Sequence, residues 1–377
     1  MTTSSHPDSV PPVAATASPS AAPPATPPVG PDRSGLLDRL ADGPVICAEG
    51  YLFELERRGY LQAGAFVPKV VLDHPEQVSA LHEEFVHAGS DVVEAFTYYA
   101  HREKLRLIGA EDLLEPMNRQ ALELARVVAR KHGALLAGNV CNTNVYDPAD
   151  VATHDQVRSI FTEQIGWAVE AGADFIIAET ISWAGEAQIA LEVIKEAGLP
   201  SVVMLVPHKD PDMRDGGTVA EVCRALADNG ADVVGLNCAR GPDTMLPLLA
   251  DVTAAVDVPV AALPVPYRTT PDEPTMQSLR DPVGEKLLPG GIPFPTALDP
   301  FTCNRYEIAE FTRKATDLGA RYLGICCGAG PHHIRAVAEA LGRTPPASAY
   351  SPDMSKHAYF GTDPTLRQHN QTFTGRL

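Results

Sequence analysis

Tyr322-Leu-Gly-Ile-Cys-Cys-Gly328 is an apolar run that ends in two adjacent thiols and a glycine. Val233-Val-Gly-Leu-Asn-Cys238 is a second run of the same kind, closed by a third thiol. Short, almost continuously apolar runs read as strands of a parallel sheet covered on both faces. In a barrel of such strands the chemistry sits where strands end and loops begin. If both runs are barrel strands, Cys238, Cys326 and Cys327 face one mouth. Neighbours along a strand point to opposite faces, so Cys326 and Cys327 address one ion only where strand gives way to loop, a turn that Gly328 permits.

A lone cysteine at a strand end reads most simply as a small core residue. Three at two strand ends read as ligands for one soft metal ion, and three thiolates with an open fourth position describe a catalytic zinc that binds a substrate thiol. The competing reading of the adjacent pair is a vicinal disulfide or a redox sensor.

Working outward, the same pattern repeats along the chain. Candidate strands are Val45 to Glu49, Asp91 to Tyr98, Ala134 to Val140, Asp174 to Glu179, Ser201 to Val206, Asp232 to Asn237, Val258 to Leu263 and Arg321 to Cys326. Between them, apolar residues recur at three- and four-residue spacing over Pro75 to Ala88, Glu115 to His132, Thr153 to Ala171, Gly185 to Ala197, Thr218 to Asn229, Asp243 to Val256, Asn304 to Leu318 and Pro331 to Leu341. Gly133, Gly172, Gly198, Gly230 and Gly319 stand where such helices end. Eight strands alternating with eight helices predict an α/β fold, a (β/α)8 TIM barrel.

The barrel is expected over residues 35–343. Residues 1–34 are almost entirely Pro, Ala, Ser, Thr, Val and Gly, a composition that reads as a disordered tail. Residues 344–377 read as a C-terminal extension packing on the barrel or on a second subunit. A Pro- and Gly-rich interruption from Pro264 to Cys303, between the seventh strand and its helix, has the length of a functional loop.

Composition excludes several partners. The 377 residues carry a formal charge of −18, which repels phosphate backbones and anionic headgroups, so no nucleic acid and no membrane surface is expected. No apolar stretch approaches the length of a transmembrane helix, and Met1 to Gly30 lacks the basic start and unbroken apolar core of a secretory signal. A soluble, cytoplasmic protein is expected. Seven cysteines, an odd number and sparse for the length, fit free thiols or metal ligands better than a disulfide framework.

Zinc held by three thiolates is electron-rich and a poor Lewis acid toward water, which disfavours hydrolysis. His332 and His333 supply no hydrolase ligand set and read as the start of the last helix. A fourth thiol on such an ion is held deprotonated near neutral pH. The implied reaction is attack by a substrate thiolate on an electrophilic carbon.

Gly235-Leu-Asn-Cys238 and Gly324-Ile-Cys-Cys-Gly-Ala-Gly-Pro-His-His-Ile-Arg335 resemble the zinc-binding motifs of the homocysteine S-methyltransferase family. The segments 50–59, 81–89, 94–100 and 294–300 resemble its betaine–homocysteine branch in particular. The resemblance covers about Gly35 to Leu341. It implies that Cys238, Cys326 and Cys327 bind Zn2+, that the homocysteine thiolate completes the tetrahedron, and that Glu179 binds the homocysteine amino group. It further implies that Tyr99, with Tyr98 beside it, contacts the donor's carboxylate, that Phe66 packs on its methylated cation, and that the protein is an oligomer. Read without the resemblance, Glu179 is a solvated carboxylate at a helix entrance, Phe66, Tyr98 and Tyr99 are rim packing, and Asn237 is either a polar cap or a residue that orients the site.

Three departures stand out. The family's Asp-Gly-Gly at the end of the first strand is replaced by Ala48-Glu49-Gly50, so Glu49 and Gly50 are the candidates for homocysteine recognition there. Thr180 stands where the betaine enzyme has a tyrosine, and Phe66 replaces a tryptophan. The expected reaction is transfer of a methyl group from glycine betaine to homocysteine, giving methionine and dimethylglycine. The alternatives are S-methylmethionine or another sulfonium or methylamine as donor, and a non-catalytic zinc- or thiol-binding protein.

Overall fold

The computed structural model describes residues 35–284 and 289–377. The expected tail over residues 1–34 lies outside the described residues.

Eight parallel strands close into a barrel in sequence order. They are β1 (Val45–Ala48), β2 (Val92–Glu94), β3 (Leu135–Cys141), β4 (Phe175–Ile181), β5 (Ser201–Leu205), β6 (Val233–Asn237), β7 (Val260–Leu263) and β8 (Ala320–Ile325). Closure comes from β1 against β8, with Val45 opposite Tyr322 and Ala48 opposite Ile325. Every strand residue is buried except Arg321, because helices cover the outer face and side chains fill the interior. That two-sided burial is why the strands read as continuous apolar runs rather than alternating ones.

The helices lie within a residue or two of their expected spans, among them Leu114–His132, Val151–Ala171, Arg305–Asp317 and Pro331–Ala340. Gly133 and Gly172 cap the first two in left-handed conformation, at φ 69° and 76°, where a side chain would be strained.

One strand is shorter than its sequence suggests. Asp91 to Tyr98 reads as a single extended run, yet β2 stops at Glu94. The Thr97 hydroxyl donates to the Asn139 carbonyl at 2.7 Å and the Thr97 amide to the Ala95 carbonyl at 2.7 Å. These local bonds replace the sheet ladder and swing Tyr98 and Tyr99 over the mouth.

The described part of the long 264–303 interruption returns to the barrel through an antiparallel bridge between Tyr267 and Thr302. Of the C-terminal extension, the short turn Pro346–Tyr350 packs against helices Pro75–Ala88 and Pro331–Ala340. Arg343 ties the start of the extension to the barrel through Asp91 at 2.6 Å. No described helix is long and apolar enough to cross a membrane.

Candidate metal and thiol site

The ends of β6 and β8 carry the three thiols to one place. The Sγ atoms of Cys238, Cys326 and Cys327 all lie within 4.8 Å of one another, and all three residues are buried. A tetrahedral ion with metal–sulfur bonds of about 2.3 Å separates its sulfurs by roughly 3.8 Å, a spacing compatible with the trio. The donor set is wholly sulfur, which suits a soft metal.

Backbone geometry makes this convergence possible. After β6 the chain turns through Cys238 and Ala239 at φ 60° and 52°, and the Cys238 amide still donates to the Leu263 carbonyl at 2.9 Å. Left-handed non-glycine residues are costly and persist where their surroundings hold them. After β8, Cys326 donates to the Pro264 carbonyl at 2.9 Å and the chain turns at Gly328, φ 97°. A Cβ on Gly328 would stand 2.2 Å from the Tyr267 hydroxyl. The turn that lets adjacent cysteines face one point therefore depends on glycine both for its φ and for space.

Electrostatics single out one thiol. Hydrogen bonds from Cys326 and Cys327 stabilise the Cys238 thiolate and hold its pKa well below the usual thiol value. Burial pushes Cys326 up, and the neighbouring Cys238 anion does the same for Cys327. Closing such a trio on a divalent ion releases the protons its thiols still carry.

Glu179 and Glu49 adjoin this cluster: one carboxylate oxygen of each lies within 4.8 Å of the Cys326 sulfur and of the other. Both are buried, at 5% exposure each. Glu179 is therefore not a solvated residue at a helix entrance. It sits inside β4, which continues to Ile181, and burial pushes its carboxyl up to about 7. The Asn237 side-chain amide donates to Glu179 Oε2 at 2.8 Å and to Glu49 Oε2 at 3.2 Å, while its oxygen accepts from the Thr180 amide at 2.9 Å. Asn237 is the hub that ties the carboxylates to the cysteine loop.

Gly50 begins the helix Tyr51–Arg57, and a Cβ there would meet the Ala329 carbonyl oxygen at 2.1 Å. Gly50→Ala is expected to cost about 1–3 kcal/mol of stability through this overlap with rigid backbone, read as a lowered Tm with the loop after the cysteines displaced.

Above the sulfurs opens a cleft of about 250 Å³, whose walls include Phe53, Phe66, Tyr98, Tyr99, Phe294 and Cys327. Phe66 and Tyr99 have φ of 56° and 61°, so both rim aromatics are carried on strained backbone. Phe66 packs edge-on against Phe53 at 5.8 Å between centroids, and Tyr98 lies 4.3 Å from Tyr99. The Lys104 ammonium already covers one face of Tyr99, 3.8 Å from its centroid. His208 and Arg214 also line the cleft, and Arg214 stacks on Trp183 at 4.6 Å.

All the site residues expected from sequence thus lie around one mouth. Sequence reasoning missed two that share it, Glu94 and Asn139, which are buried at 2% and 4% exposure. Asn139 donates to Glu94 and, at 2.7 Å, to Glu179 Oε1. The signal was present: a charged residue and an amide each stand inside an apolar strand run, where a buried polar group needs a reason.

Residues 46–341 match the family profile described as homocysteine S-methyltransferase. Among curated relatives, betaine–homocysteine S-methyltransferase 1 of Xenopus tropicalis is 36% identical, over 88% of this chain and 80% of its own. The Danio rerio protein of the same name is 37% identical with the same coverage. S-methylmethionine–homocysteine S-methyltransferase BHMT2 of Mus musculus is 35% identical, over 88% of this chain and 87% of its own. Of solved structures, the metallated form of the homocysteine methyltransferase MmuM from Escherichia coli superposes with a TM-score of 0.61 at 18% identity, covering 80% of this chain and 98% of that one. That likeness is one of fold.

Proposed function

The chain belongs to the homocysteine S-methyltransferase family, an enzyme for methyl transfer to homocysteine, and from that premise we propose that it is zinc-dependent and takes its methyl group from glycine betaine. The observation that carries the zinc assignment is the convergence of three buried sulfurs, with no histidine or carboxylate completing the trio among the described residues. Cys238, Cys326 and Cys327 would hold the ion. Bound there, it supplies a fourth position at which a substrate thiol loses its proton near neutral pH.

The remaining work belongs to the chain's own residues. Glu179, with Asn237 and Asn139 fixing both of its oxygens, holds the homocysteine ammonium and so aims the sulfur toward the cleft. Phe66 presents its ring face to the methylated cation, and the Tyr99 hydroxyl, with Tyr98 beside it, contacts the donor's carboxylate. Arg214 at the rim offers a partner to the donor's carboxylate. The homocysteine sulfur forms a bond to a methyl carbon as the carbon–nitrogen bond breaks, and its electron pair stays on nitrogen. A neutral tertiary amine leaves, so no general acid is needed. Alignment and exclusion of water from the cation carry the rate.

The similarity to the betaine–homocysteine S-methyltransferases of Xenopus tropicalis and Danio rerio supports betaine as the donor. S-methylmethionine remains the second reading, supported by the similarity to the mouse enzyme named for that donor. Methionine formation from homocysteine, measured with the zinc-loaded protein against glycine betaine, S-methylmethionine and dimethylsulfoniopropionate, tests the choice. Betaine is expected to give a kcat/KM at least about tenfold above the others, one unit of 1.4 kcal/mol in discrimination. A higher value for a sulfonium would reassign the donor.

A further inference from the structure

Arg240 stands two residues beyond Cys238 and is buried, at 7% exposure. Its guanidinium donates only to backbone carbonyls among the described residues. Nε reaches His208 at 3.1 Å and Pro207 at 3.3 Å, Nη2 reaches His208 at 2.7 Å and Lys209 at 3.2 Å, and Nη1 reaches Thr244 at 3.4 Å. A buried cation without a carboxylate is costly to keep, and three successive carbonyls aimed at one point repel each other unless a cation sits among them. The guanidinium and the curled 207–209 backbone therefore depend on each other.

The same residue closes the turn that carries Cys238. The Arg240 amide reaches back to the Cys238 carbonyl at 2.6 Å across Ala239, whose φ is 52°, a three-residue turn of a rare and strained kind. Such a turn persists where its surroundings hold it. Here the Met276 amide donates to the Ala239 carbonyl at 2.8 Å, the Val265 amide donates to the Arg240 carbonyl at 3.0 Å, and the Arg240 side chain anchors the end of the turn.

What Arg240 grips is the segment 206–217 after β5, which supplies His208 and Arg214 to the wall of the cleft. The far part of that segment is tied to the end of β4: the Arg214 amide donates to the Ser182 carbonyl at 3.0 Å, and the Asp215 carboxylate accepts from the Ala184 and Gly185 amides at 2.7 and 2.9 Å. Its near part is tied to the sulfur turn by Arg240. We propose that Arg240 is a positioning residue that links the Cys238 turn to this wall, so that metal retention and donor binding depend on one side chain while homocysteine recognition does not. The inference rests on the zinc and donor assignments given above. Glu179 and Asn237 lie within β4 and β6, outside the reach of the link. Being an equilibrium coupling, the link acts in both directions: an ion closing the trio firms the wall, and the wall in place holds the ion.

The test uses the full zinc-loaded chain and its Arg240→Met and Arg240→Lys variants. In Arg240→Met, amide hydrogen exchange over 206–217 is expected to quicken at least about tenfold, with the strands unchanged. Zinc transfer to a chromogenic chelator should quicken about tenfold as well, the loss associated with hydrogen bonds from a charged group. With zinc saturating, the KM for the donor should rise about tenfold and the KM for homocysteine stay within about threefold. Arg240→Lys keeps the charge without the planar fork and should fall between wild type and Arg240→Met. It decides the matter if Arg240→Met fails to melt cooperatively. Unchanged exchange over 206–217, unchanged zinc transfer, or equal rises in both KM values in a folded variant overturns the proposal. If the wild-type protein makes no methionine from any donor, the functional reading fails, while exchange and zinc transfer still decide on the link.

Discussion

Cys326→Ala is expected to abolish methionine formation, with kcat lowered about 10³-fold or more, while the protein remains folded. Cys326 is 1% exposed and leaves β8 just where the chain turns toward the mouth. Removing one sulfur of three leaves two ligands, too few to hold an ion against water and competing thiols. Without the ion a substrate thiol with an ordinary pKa near 8.5 is mostly protonated at neutral pH. The cost to the fold is modest, about 1 kcal/mol for a small buried side chain, because the barrel around it is continuous. Metal content by elemental analysis should fall from one zinc per chain to well below that, in parallel with activity. Retained turnover with stoichiometric metal would remove Cys326 from the site. Loss of metal from the variant, beside a zinc-loaded wild-type protein that makes no methionine, would point instead to storage or sensing.

The second large effect is at Glu179. Glu179→Ala is expected to raise the KM for homocysteine about 100-fold and to leave the KM for the donor within about threefold. The carboxylate is buried beside the sulfurs and receives amide hydrogens on both oxygens, so it is held rigidly where a charged partner gains most from it. Its removal also strands the Asn139 and Asn237 amides, a penalty of about 1–3 kcal/mol that appears in stability rather than in the donor's KM. Steady-state kinetics in both substrates, with thermal melts alongside, separates the two contributions. Equal rises for both substrates would mean that Glu179 shapes the mouth without touching the amine.

The barrel was legible in the sequence for a local reason. Parallel strands buried on both faces leave unbroken apolar runs, and their helices leave a three-to-four periodicity. Both signals survive in a single segment without knowledge of its neighbours. The β2 region shows where this stops: Val92 to Tyr98 has strand composition throughout, but the Thr97 hydroxyl bonds to a carbonyl of β3, a partner defined only once the sheet exists. The cysteine trio was legible as well, since Cys238 and the Cys326–Cys327 pair each end a run whose direction the barrel imposes.

What sequence alone determined here is the repeat of eight βα units, the family, and the three thiols at strand ends, because each is written in residues adjacent along the chain. Only the tertiary structure decided that Glu49 from the β1 end, Glu94 of β2, Asn139 of β3, Glu179 of β4 and Asn237 of β6 share one buried hydrogen-bond network. Those residues meet through the register and closure of the sheet. A single charged residue in an apolar run carries no information about which other strand will bring it a partner.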